Sequence, residues 1–380
     1  MSRPLLFPVA VALAAAVSGL CAQRTWVVAA NGGPGVDFTD VPPAIAAAND
    51  GDVIVVRSGA YSAAMMDGKG VTLVGETDVV LANLLVTNLT AGQAVVVGDV
   101  AVYGPFTLVR PGAADCLGRV LFERVQFGPA NASGGIRARF DRVADLRLSS
   151  CAIHAGADFA DTQVTLTDST AEPPPFVSAG PTLTFGGGAG VMSRCSVSGP
   201  SEFLRVVPAE AIRMNGAALT ITDDGSHLIA AGQATTVAQP SAITGSGALL
   251  RDPRVRLIAD TAPPVSGPTD TVRPIASLQV LGPHLGRAIE VDLAGPTGEV
   301  FALVLGLPGP LLPLPHLGGS VGLGTLSVVA QGVFTASPFH LSIPARAPLP
   351  RGFTIAWQAV AGDTMGGAQL SNFATYARTD

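Results

Sequence analysis

The chain has 380 residues, enough for two domains and a sizeable core. Its 45 glycines and 30 prolines favour frequent turns and few long helices. A net charge of −6 argues against nucleic acid as a partner, because phosphate recognition needs a basic face. Lys69 is the sole lysine, so a lysine base is a poor candidate for any chemistry.

Residues 1–22 read as a secretory signal peptide: Arg3, an apolar run from Leu5 to Val17, then small residues with cleavage after Ala22. Cys21 raises a lipoprotein reading, which Leu20 disfavours, since a small residue normally precedes a lipidated cysteine. No transmembrane segment is expected in the mature chain. The first apolar run is too short to span, and the stretch from Val300 to Pro315 is broken by Pro308, Pro310 and Pro313.

Asp40 followed by Val41, Pro42 and Pro43 predicts a short helix from Val41 to Asn49, with Asp40 as its N-cap. Beyond it one unit recurs, apolar-x-apolar-x-x-small/apolar-x-apolar. It appears as VVVGDVAV from Val95, VLFERVQF from Val120, LRLSSCAI from Leu146, VTLTDSTA from Val164 and GVMSRCSV from Gly190, at spacings of 25, 26, 18 and 26 residues. Each unit reads as two short strands joined by a two-residue bend. None can bury its own apolar face, so successive units must stack, and the stack they predict is a parallel β-helix. Its open first coil would expose core and unpaired backbone, so the helix from Val41 is expected to cap it.

A helix followed by GDVIVVRSGAYS and GKGVTLVGE resembles the start of secreted right-handed parallel β-helix proteins of the pectin-lyase-like superfamily. The resemblance covers Thr25 to Leu257. It implies a fold more than a function, because that fold hosts lyases, hydrolases, adhesins and inert scaffolds alike.

With Cys21 removed, Cys116, Cys151 and Cys195 remain. Cys151 and Cys195 share one slot of the unit, with Ser169 in that slot between them. Two coils at about 4.8 Å each put the sulfurs roughly 9–10 Å apart, beyond disulfide reach. They are expected to be reduced and buried, while a Cys116–Cys151 bridge stays open.

A proline-rich segment, 259–275, reads as a linker from the β-helix domain (23–258) to a C-terminal domain (276–380). About seven short β-runs there predict a small β-sandwich. The predicted fold is therefore all-β: a parallel β-helix with a capping helix, followed by a sandwich.

Candidate chemistry is sparse. GGSVG around Ser320 lacks the strand-to-helix context and the following acid and histidine of a serine hydrolase. Asp223 and Asp224 precede His227, and polygalacturonase-like hydrolases on this fold also use aspartates and a histidine. Their Asn-Thr-Asp, Gly-His-Gly and Arg-x-Lys motifs are missing, however, and Asp-Asp-Gly-Ser is good turn chemistry. Arg124, Ser150, Asp168 and Arg194 share the second bend position and should form one column on an edge of the stack, with Glu123 next door and Arg147 and His154 flanking the neighbouring coil. Its arginines are candidates for gripping an acidic glycan, and Asp168 between them is a candidate to neutralise both. No zinc or cofactor spacing is present, and Ca²⁺ enters only if the chain is a lyase. Asn88 and Asn131 match glycosylation acceptors. Two functions follow: a secreted or cell-surface protein without catalysis, in surface structure, adhesion or glycan contact, or a lyase or hydrolase of an acidic polysaccharide. Extracellular, cell-surface and periplasmic locations all fit the leader.

Overall fold

Two local signals set the period of this chain: alternate residues are apolar over four or five positions, and a left-handed residue then turns the backbone. The structure is a computed structural model. It describes residues 23–104, 107–109, 115–129, 137–154, 156–173, 180–201, 208–223, 225–233, 239–281, 289–314, 319–323, 327–335, 338–343, 354–362, 368–371 and 374–377. Residues 1–22, the expected signal peptide, lie outside these residues, as do Asn131 and Asp224.

The molecule is nearly all-β, with long parallel ladders compatible with a parallel β-helix. The chain visits three ladders in turn. The first begins at Thr25–Val28 and passes through Val53–Val56, Thr72–Gly75, Ala94–Gly98, Cys116–Glu123, Val143–Ser149, Gln163–Thr167 and Ala189–Ser193. The second runs from Gly59–Tyr61 to Arg256–Ile258, and the third from Ala64–Asp67 to Val265–Ser266. Every pairing in the three is parallel. The register is the one the repeat predicts: Val95 pairs Val120, Val120 pairs Leu146, Leu146 pairs Val164 and Val164 pairs Gly190.

Left-handed residues make the corner between the first and second ladders. Asp78, Asp99, Arg124, Ser150, Asp168 and Arg194 all have φ between 48° and 56°. Polar side chains tolerate this region best, which suits Asp and Ser; the arginines accept its strain. Towards the end of the stack the strands Ile212–Thr222 and Ile243–Arg251 run through both the third and first ladders. Glycine permits this close approach: a Cβ on Gly245 (φ 108°) would lie 1.8 Å from the Met214 carbonyl oxygen.

Inside, the residue after each left-handed turn forms the expected column, Val125, Cys151, Ser169 and Cys195, all buried. The backbone bonds run in register, with Ala152 N donating to Val125 O, Thr170 N to Cys151 O and Ser196 N to Ser169 O. Each small polar side chain donates back to the carbonyl two residues earlier: Cys151 to Ser149, Ser169 to Thr167 and Cys195 to Ser193. That shared bond explains why Cys and Ser interchange in this slot. All three cysteines, Cys116 included, are free and buried. Deeper in the core Phe140, Phe159 and Phe185 stack, with centroids 5.2 and 5.0 Å apart.

The helix Val41–Ala47 (α1) begins at Asp40, whose carboxylate accepts from Val41 N, and has prolines in its first turn. It stops two residues short of the expected Asn49. Val41, Ala44 and Ile45 face the same core as the ladders. Lys69 closes its far end, donating to the carbonyls of Ile45, Ala46 and Ala48.

The segment expected to be a linker differs from that reading. Val265–Ser266 and Thr269–Val272 pair in parallel with Ile243–Arg251, so the ladders continue through Val272. Period-two apolar patterning is absent there, and Pro263, Pro264 and Pro268 masked the strands. After Val272 come antiparallel sheets. Ser277–Leu281, Ile289–Ala294 and Phe339–Ile343 make a three-stranded sheet. Ser327–Val333, Val300–Gly306 and Thr354–Gly362 lead a five-stranded one, completed by Ala368–Leu370 and Ala374–Ala377. The two share a core of Leu278, Val291, Leu293, Phe301, Leu303 and Trp357, separate from the core of the parallel stack. Pro308–Leu314 pairs with Gly319–Leu323 as a hairpin. Among the described residues no helix is long and apolar enough to cross a membrane.

Candidate functional site

The bend column is a series of clasps. Arg124 grips Asp99, the left-handed residue one coil earlier, through Nε to Oδ1 at 2.6 Å and Nη2 to Oδ2 at 2.8 Å. Its Nη1 reaches Glu123. Burial works against the charge on Arg124, but the Asp99 and Glu123 carboxylates outweigh it and raise the guanidinium's pKa. Arg194 repeats the geometry on Asp168, with Nε to Oδ1 at 2.7 Å and Nη2 to Oδ2 at 2.6 Å. Its remaining Nη1 donates to the carbonyl of Leu278 at 2.6 Å, in the antiparallel region.

The sequence therefore places Arg124, Asp168 and Arg194 on one column correctly, but Asp168 pairs with Arg194 and not with Arg124. Two coils separate Arg124 from Asp168, and Ser150 between them carries no charge. The partner of Arg124 is Asp99, which occupies the same bend slot of VVVGDVAV. Extending the column by one unit would have found it. The arginines also differ in access: the Arg194 side chain is 2% exposed and the Arg124 side chain 37%.

A second cluster lies on the outward side of the first ladder. Asp145 accepts from Arg119 at 2.9 Å and from Arg147 at 2.7 and 2.8 Å. Asp145 and Arg147 are each 2% exposed, although the strand alternation turns them away from the core. Burial pulls the Arg147 pKa down against the pull of Asp145. The sequence points to Arg147 only as a flank of the bend column; its burial and its pairing with Asp145 were missed, because nothing local marks an outward residue as covered.

At TDDGSH the Asp223 carboxylate is buried. It accepts from His227 N at 3.1 Å and meets His227 Nδ1 at 2.9 Å. The Ser226 hydroxyl contacts the same Nδ1 at 2.8 Å. A relay from hydroxyl through imidazole to carboxylate needs the two partners on opposite ring nitrogens, so this trio closes a turn and is not set up as a relay. Ser320 lies in the strand Gly319–Leu323, not at a strand-to-helix elbow. Among the described residues no group of three or more His, Cys, Asp and Glu could hold a metal ion.

Comparison of the chain with known protein families and with characterised proteins returned no match.

Proposed function

We propose that this chain is a secreted, non-catalytic protein acting in cell-surface structure, adhesion or glycan contact. On this reading it is a right-handed parallel β-helix of the pectin-lyase-like kind, with α1 capping its first coil and the antiparallel region forming a small β-sandwich. One observation carries the proposal: the charged groups of the column serve the molecule itself. Arg194 is enclosed by Asp168 and Leu278, and Arg124 is clasped bidentately by Asp99. A general acid or base must present a group to a substrate, whereas these groups tie coil to coil. The half-exposed Arg124 is the member of the column best placed for contact with a carboxylated sugar.

The runner-up is a lyase or hydrolase of an acidic polysaccharide. It draws its support from the buried Asp223 carboxylate held against His227. The test is incubation of the purified full chain with a panel of acidic and neutral polysaccharides. Ultraviolet-absorbing unsaturated products or new reducing ends would overturn the non-catalytic reading. Glycan contact predicts salt-sensitive retention on an acidic-polysaccharide column that falls in Arg124→Ala. Equal retention of the two proteins would remove the column from consideration.

A further inference from the structure

The outward side of the first ladder is a surface by topology, yet it is covered. Leu121 and Arg147 are register partners on that side, and they are 0% and 2% exposed. Val96, beside Leu121, and Thr165, beside Arg147, are buried as well. The strand Pro308–Leu314 lies against Val143–Ser149, which carries Asp145 and Arg147. At the rim Arg194 holds the Leu278 carbonyl. The crossing between the two regions is clamped by Asp252, which accepts from Ile275 N at 2.7 Å, and by Arg254, which donates to Ile275 O at 3.0 Å.

We propose that the described antiparallel strands, beginning with Ser277–Leu281, are a detachable cover over the first ladder, and that Arg194 is their anchor. Three observations support detachment. The cover and the stack have separate apolar cores, so parting them opens neither. Around the apolar pair Val96 and Leu121, the outward side of the first ladder is rich in buried polar and charged groups, namely Asp145, Arg147, Thr165, Ser193 and Arg194, and polar interfaces between domains of one chain are the kind that move. The Thr165 and Thr222 hydroxyls on this side are buried without a hydrogen-bond partner, so closure leaves polar groups that solvent would satisfy. Arg194 is suited to anchor because Asp168 fixes two guanidinium nitrogens and aims the third at a residue 84 positions away.

Hydroxyl-radical footprinting of the full chain tests this, because it reads side-chain access one residue at a time. In Arg194→Ala the oxidation of Leu121 rises at least about fivefold over wild type, while that of Leu146, inside the stack, stays at the wild-type level. Asp168→Asn, which removes the aiming carboxylate, raises Leu121 oxidation by a smaller factor. Leu121 protected as in wild type in both variants would show that Arg194 anchors nothing. Parallel rises at Leu121 and Leu146 would show that Arg194 holds the stack itself. No carbohydrate enters the experiment, so its outcome is independent of the functional reading.

Discussion

Lys69 donates to the Ile45 carbonyl at 2.9 Å, and the same ammonium reaches Ala46 and Ala48 at 2.8 and 3.0 Å. Three donors on one cation meet carbonyls at the C-terminal end of α1, where the helix leaves them unpaired and its dipole is negative. Lys69→Met keeps the aliphatic stem and removes all three bonds. It should lower stability by about 1–3 kcal/mol in chemical denaturation. An unchanged midpoint would mean that water replaces the ammonium at no cost.

The cysteine slot predicts unreactive thiols. Burial pushes the Cys151 and Cys195 thiols up to about 12, so almost no thiolate exists at pH 8. Iodoacetamide should leave both unlabelled in the native protein and label both in denaturant without reductant, as read by mass spectrometry. A peptide linking the two would contradict the free thiols of the structure.

Truncation inside the aromatic stack should be costly. Phe140 is 0% exposed and packs against Phe122, Phe127 and Phe159. Phe140→Ala removes a ring that neighbouring coils cannot fill, and should cost about 3–5 kcal/mol in urea denaturation. A loss below about 1 kcal/mol would mean that the stack collapses to close the cavity.

His340 gives the antiparallel region a pH dependence of known sign. A hydrogen bond with Asp292 at 2.6 Å raises its pKa, and Glu290 Oε2 at 3.0 Å adds to the effect. A raised folded-state pKa contributes stability that is complete below the unfolded value, about 6.5, and is lost as pH rises through the folded value. NMR titration should place the imidazole above 6.5, and His340→Gln should flatten the stability profile over that window. A midpoint at or below 6.5 would contradict the contact.

The coils from Val95 to Val197 were legible down to register, because their inward positions alternate strictly and one left-handed residue closes each run. The later coils were not. Ile212–Thr222 and Ile243–Arg251 turn their corners through Gly216, Gly245 and Gly247 without leaving the strand, so the repeat loses its punctuation. Arg124, Asp168 and Arg194 could be aligned because they share a slot, whereas their pairing depends on which neighbour lies one coil below. The burial of Arg147 could not be read at all, since its cover comes from residues more than 150 positions later.

The three parallel ladders also have a mechanical consequence. Hydrogen bonds between coils point along the axis of the stack, so a pull along that axis loads every coil boundary alike, and the boundaries yield one at a time. The molecule should open as a zipper rather than shear as a block. Each freed coil of about 25 residues would pay out roughly 80–90 Å of chain at full extension. A tether fixed at the two ends would therefore yield in a train of small, similar force peaks, behaving as a shock absorber with many weak links in series.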